Sequence, residues 1–83
     1  MLDFNLKKII EDFDTQNLLK FLENNQKLKL DDNDFKLLKE SKITGFSIFH
    51  FTKDDFLSIG LKRGPAIAIT VLIQSINEGL LYY

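Results

Sequence analysis

An apolar residue, then Asp or Thr, then a second apolar residue five positions after the first: this pattern occurs three times in the chain. The sets are Phe13-Asp14 with Leu18, Leu30-Asp31 with Phe35, and Phe51-Thr52 with Phe56. At a helix start, the oxygen-bearing side chain accepts a hydrogen bond from a free N–H of the first turn, and the flanking apolar pair closes over it as a hydrophobic staple. Each set predicts a helix behind it. Asp34 stands at the third helical position of the second, and Asp55 makes a T-x-x-D version of the capping box in the third, although Asp reaches back less well than Glu. Three such starts in so short a chain set the fold class: all-α.

Periodicity extends each start. The first helix is expected over Thr15–Asn24, with Leu18, Leu19, Leu22 and Phe21 inward and the double asparagine Asn24-Asn25 as its stop. The second is expected over Asp32–Ser41, burying Phe35, Leu38 and part of Leu37, with Lys39 and Lys42 at its negative C-terminal end. Gly45 opens a short apolar piece, FSIFHF, sufficient for one or two turns. A fourth helix is expected over Lys53–Ser58, ending at Gly60, a residue suited to the left-handed cap conformation. The longest helix comes last. Pro65 is read at its first position, where a fixed φ is favourable and a missing N–H costs nothing, with Gly64 as the cap. Ile69, Leu72, Ile73 and Ile76 form its inward stripe. The β-branched run Ile67–Ile73 has strand propensity, but Pro65 before it and Asn77-Glu78-Gly79 after it favour a helix.

Eighty-three residues make one domain, and a chain of this size buries only about 60% of its unfolded surface. It has no cysteine, so neither disulfides nor a thiolate metal site supplements the core. Packing of a 45% apolar composition with eight phenylalanines carries the fold. The formal net charge of -1, from eleven basic and twelve acidic side chains, gives no overall field that would recruit nucleic acid or anionic lipid. The most apolar window, Ala66–Ile73, is far short of the ~20 residues of a membrane span, and the N-terminus lacks the apolar core of a signal peptide. Together with the absent cysteines, this favours an intracellular setting, cytoplasmic or nuclear.

The segment ITGFSIFHFTKDDFLSIGLKRGPAIAITVLIQSI resembles the second half of a sterile alpha motif (SAM) domain. The elements that carry the resemblance are an I-x-G turn (Ile43, Gly45), a short apolar helix (Phe46, Phe49) and a T-x-x-D start (Thr52, Asp55, Phe56). An Ile59-Gly60-Leu61 end and a glycine, Gly64, before a long helix containing Ile69 complete them. The resemblance spans roughly residues 13–78 and implies a small five-helix bundle with a long C-terminal helix. It divides the chain into an N-terminal extension, 1–12, the domain, 13–80, and a short tail, 81–83. Family members often carry basic residues early in the last helix, where Ala66 and Ala68 stand here.

The resemblance implies a non-catalytic protein–protein interaction module, self-associating head to tail or binding another SAM-type domain or signalling protein. One surface would be the start of the last helix: Lys62, Arg63, Gly64, Pro65, Ala66 and Ile67. Lys62 and Arg63 steer, Pro65 and Ala66 allow close approach, and Ile67 supplies apolar contact. The other would be an acidic mid-domain surface with Asp54, Asp55, Asp34 and Glu40. Residues 31–60 hold six acids against four lysines, so the signs are complementary. RNA hairpin binding is the weaker alternative, because two cations release few counterions and Ala66 and Ala68 offer no phosphate contact. Ile67 and Val71 fall off the inward stripe, and the sequence leaves open whether they pack beneath the N-terminal segment or face a partner.

No enzymatic constellation is present. His50 is the only histidine, reads as a core-edge residue between Phe49 and Phe51, and has no cysteine or oriented serine to activate. The acid pairs Asp31-Asp32 and Asp54-Asp55 lie in first helical turns, where negative charge is stabilising in its own right. There is no glycine-rich phosphate loop. No cofactor, metal or small-molecule substrate is expected. Leu6, Ile9 and Ile10 with Phe4 are read as an amphipathic turn packing on the bundle, with an arm donated to another copy as the alternative. The tail, Leu80-Leu81-Tyr82-Tyr83, leaves bulky residues for further sequence or a partner to cover.

Overall fold

The computed structural model describes residues 6–79. Six α-helices follow one another: α1 (Leu6–Glu11), α2 (Thr15–Asn24), α3 (Asp32–Glu40), α4 (Gly45–Ile48), α5 (Lys53–Ser58) and α6 (Arg63–Asn77). A 3-10 turn, Gln26–Leu28, links α2 to α3. Among the described residues there is no strand. The architecture is an all-α bundle with a long C-terminal helix, and it has one α-helix more than the five expected. The addition is α1. Six residues are too few to be helical on their own, and tertiary contact with α4 and α6 holds them so. Phe4 lies outside the described residues, as does the Leu80–Tyr83 tail.

Capping follows the sequence closely. Asp14 accepts from the Asn17 N–H at 2.8 Å and starts α2. Asp31 and Asp34 form a reciprocal box at α3: the Asp34 N–H donates to Asp31 Oδ1 at 2.8 Å, and the Asp31 N–H donates to Asp34 Oδ2 at 3.1 Å. Thr52 and Asp55 do the same at α5, where the Thr52 N–H reaches Asp55 Oδ2 at 2.9 Å. The short Asp side chain therefore reaches back at both starts. Phe51 and Phe56 close the staple with ring centroids 5.0 Å apart. A fourth start, missed in the sequence, has the same construction. Thr44 and Ser47 form a capping box before α4, flanked by the fully buried Ile43 and Ile48. Serine in place of an acid at the third position hid it.

The last helix begins earlier than expected. Lys62, in extended conformation, is its N-cap, Arg63 its first residue and Pro65 its third, so Gly64 is helical rather than the cap. The third N–H of a helix also has no intrahelical partner, and proline is accommodated there at the same small cost. Behind it, Gly60 at φ 109° ends α5 in the left-handed conformation expected of it. The Leu61 N–H reaches the Phe56 carbonyl at 3.2 Å and the Gly60 N–H reaches that of Leu57 at 3.0 Å, a Schellman termination.

The core is shared by every helix. Ile69, Leu72, Ile73 and Ile76 of α6 are buried as expected, against Leu18 and Leu22 of α2, Leu38 of α3, Ile48 and Phe56. Ile10 of α1, read as part of an amphipathic turn packing on the bundle, is 1% exposed, whereas Ile9 beside it faces solvent. Burial of the Ile10 side chain contributes about 1.5–3 kcal/mol. Its docking depends on Gly45, where a Cβ would collide with the Ile10 carbonyl oxygen. The Gly45 N–H donates to the Phe13 carbonyl at 2.9 Å, so the end of α1 and the start of α4 meet backbone to backbone. Leu28, in the 3-10 turn, is a further core residue that no periodicity marked.

Candidate interaction surface

The start of α6 differs from those before it. The α2, α3, α4 and α5 starts each have a side-chain oxygen accepting from the first turn; at α6 the cap is Lys62 and no side chain accepts. Apolar burial takes over the anchoring, through Leu61 at 3% exposure and Ala66 at 0%. The N–H groups of Arg63 and Gly64 thus face outward with their partial positive charge, next to two cationic side chains.

Lys62, Arg63 and Gly64 are exposed, and neither cation forms an ion pair or hydrogen bond with the side chain of any described residue. Gly64 is not required by the fold: its backbone is helical and a Cβ would meet nothing within 4 Å. Pro65 is half-buried. Ala66, expected at the contact, is wholly inside the core and lends no surface to a partner; its methyl packs inward as part of the staple. Ile67 is 43% exposed and Val71 is 54% exposed, which resolves the question the sequence left open: both face outward, one turn apart. The patch is therefore Lys62, Arg63, Gly64, Ile67 and Val71, on a rigid helix.

Fewer of the acids are free to meet a partner than the sequence implied. Asp54, Asp55 and Glu40 are exposed, but the Asp55 carboxylate is engaged with the N–H and hydroxyl of Thr52. Asp34 is 6% exposed and points into its capping box, so it presents no charge to a partner. Burial raises its carboxyl above the ordinary value of 3.8, with the Asp31 carboxylate adding to the rise, while the Asp31 N–H pulls the other way. Among the described residues, no three acidic or histidine side chains gather closely enough to hold a metal ion.

Two surface features escaped the sequence. Phe46 is 61% exposed, and its ring lies 5.1 Å from that of His50, which is itself exposed rather than at the core edge. In the run FSIFHF four of the six residues are apolar and fit no single period, so the sequence does not mark which of them face out. Phe49, by contrast, is partly buried beneath the Lys7 ammonium, 5.5 Å from its ring centre.

Capped short helices in this order, leading into one long C-terminal helix, make up a single small all-α bundle. The chain belongs to the SAM-like domain family, whose model matches residues 2–75. No curated protein and no solved structure matches it. Among the described residues no helix is long and apolar enough to cross a membrane.

Proposed function

We propose that this SAM-like domain associates with copies of itself, head to tail, through the start of α6 on one copy and exposed acids of the next. The observation that carries the reading is the outward pair Ile67 and Val71 beside two unpaired cations. An apolar centre with a charged rim on a rigid element is the construction of a specific interface. The missing cap supports it further. A lysine where the preceding helices place an oxygen forgoes about 1 kcal/mol of local stability and adds like charge to the helix dipole. Both costs diminish when a carboxylate of another molecule approaches.

On the receiving copy, Asp54 and Glu40 are the acids free to face a cation, with Asp55 contributing the charge that its cap leaves over. A contact between unlike surfaces propagates into open filaments or closes into rings. RNA is a poorer occupant. Between Arg63 and Asn77 there is no further cation, Ala66 is buried and Ala68 is partly so.

Sedimentation of wild type and Arg63→Glu over a range of protein concentration and salt tests this. Wild type is expected to assemble more weakly as salt rises, and the variant to remain a monomer of unchanged helicity. A wild type that stays monomeric at the highest concentration rejects self-association and transfers the patch to a different SAM-type domain or signalling protein.

A further inference from the structure

Among the described residues, four large apolar side chains are exposed: Ile9, Phe46, Ile67 and Val71. Ile67 and Val71 form the α6 patch, and a head-to-tail contact needs a second, different patch to receive them. Ile9 is by itself on its face of α1. Ile10 turns into the core, and Lys7 and Glu11, each two residues from Ile9, stand about 160° around the helix from it. Since Lys7 lies over the Phe49 ring just past α4, Ile9 faces away from α4. Phe46 is better placed. Its ring is the most exposed of the four, and that of His50, one turn on, braces it with ring centroids 5.1 Å apart. The residue before it, Gly45, is seated backbone to backbone on the end of α1, so the ring projects from a fixed base. An exposed acid stands on either side of the pair in the chain. Glu40 closes α3, and Asp54, in the first turn of α5, is four residues from His50 and so at most about 14 Å from it. Lys42 and Lys53 occupy the same stretch, so the local net charge is small and the ring, rather than the charge, selects the occupant.

We infer that Phe46, braced by His50, is the apolar centre of the surface that receives the α6 patch of a second copy, which rests on the self-association proposed above. An exposed aromatic ring matches both parts of that patch. Its rim packs against Ile67 and Val71, and its electron-rich face takes the Arg63 guanidinium, which no side chain of a described residue engages. The same chemistry already operates within the chain, where the Lys7 ammonium lies 5.5 Å from the centre of the Phe49 ring. Asp54 is left for Lys62 at the edge of the contact. Phe46 stands on α4 and its counterpart on α6, so every copy carries both halves.

Sedimentation of Phe46→Ser beside wild type tests this. Truncating an aromatic side chain at the centre of an interface should weaken assembly about thirtyfold. Phe46→Leu keeps the apolar contact and loses the ring, and should weaken it about threefold. Mixing two variants is the sharper measurement. Phe46→Ser retains the α6 patch and Arg63→Glu retains the ring, so the two, each monomeric alone, should pair one to one and stop there. If wild type assembles and Phe46→Ser assembles equally well, the inference is overturned and self-association stands. Failure of the two variants to pair has the same consequence. A wild type that stays monomeric overturns both. Because Phe46 is exposed, thermal unfolding of Phe46→Ser should stay close to that of wild type. A loss as large as that of a core phenylalanine would show the ring covered within its own chain and overturns the inference as well.

Discussion

The starts of α5 and α6 lie close together in the chain and are built on different priorities. At α5, Thr52 and Asp55 exchange hydrogen bonds, two phenylalanine rings close the staple, and the charge in the first turn is negative, as the helix dipole favours. At α6 the staple survives as Leu61 and Ala66, but the cap is a lysine, the next residue an arginine, and no side chain satisfies the first turn. The α5 start is optimised for the isolated domain. The α6 start has only its apolar half satisfied within the domain, and no side chain of its cap accepts from the first turn. The two glycines at helix starts repeat the contrast: Gly45 is demanded by a neighbouring backbone, whereas Gly64 has open space around it.

The strongest way to break this comparison is at the glycines. Gly45→Ala should cost about 3 kcal/mol or more, since the obstacle is the Ile10 carbonyl, which can yield only if α1 moves. Urea unfolding measures it, and a cost near zero would mean that α1 is not seated as described. Next come the caps. Thr52→Ala should destabilise by about 1 kcal/mol, whereas Lys62→Ser should stabilise by a similar amount while weakening association. If Lys62→Ser leaves sedimentation unchanged, the α6 start is only an imperfect cap. Gly64→Ala is expected to raise stability by about 0.5–1 kcal/mol, because it removes a flexible residue from a helix at no steric cost, and to hinder close approach of a partner.

The smallest expected effect concerns Asp34. Its carboxyl holds a proton more tightly in the folded chain than in the unfolded one, chiefly because it is buried. Its contribution to stability is therefore fullest below the unfolded value and is lost as pH rises through the folded one. Asn at this position keeps an oxygen for the Asp31 N–H and cannot ionise. Asp34→Asn should gain stability at about pH 7 relative to wild type, and the gain should shrink as pH falls toward about pH 3. A variant less stable at neutral pH would show that the positive helix start outweighs burial at this carboxylate.

The helices with oxygen caps and staples were legible because capping is local: Thr15–Asn24 and Lys53–Ser58 have the limits that their residues imply. The inward stripe of α6 was legible for the same reason, since a single helix carries the whole period. Legibility failed where the deciding partner lies elsewhere in the chain. The α1 helix is a helix because α4 and α6 cover Ile10, and the burial of Ala66 against exposed Ile67 depends on how α6 rests on the core. Asp34 was read as an interaction acid because its type and position suit one; its burial follows from packing.

By itself, then, the sequence determined an all-α chain, the boundaries of its capped helices, the last-helix stripe and the basic residues ahead of it. Each of these rests on hydrogen bonds and periodicities that span no more than a turn or a helix. Only the tertiary structure decided that Ile67, Val71 and Phe46 face solvent, that Ala66 and Asp34 do not, and that α2 and α3 leave a hollow lined by Leu19 and Phe35. Exposure and concavity are properties of several elements at once, and no single stretch of chain encodes them.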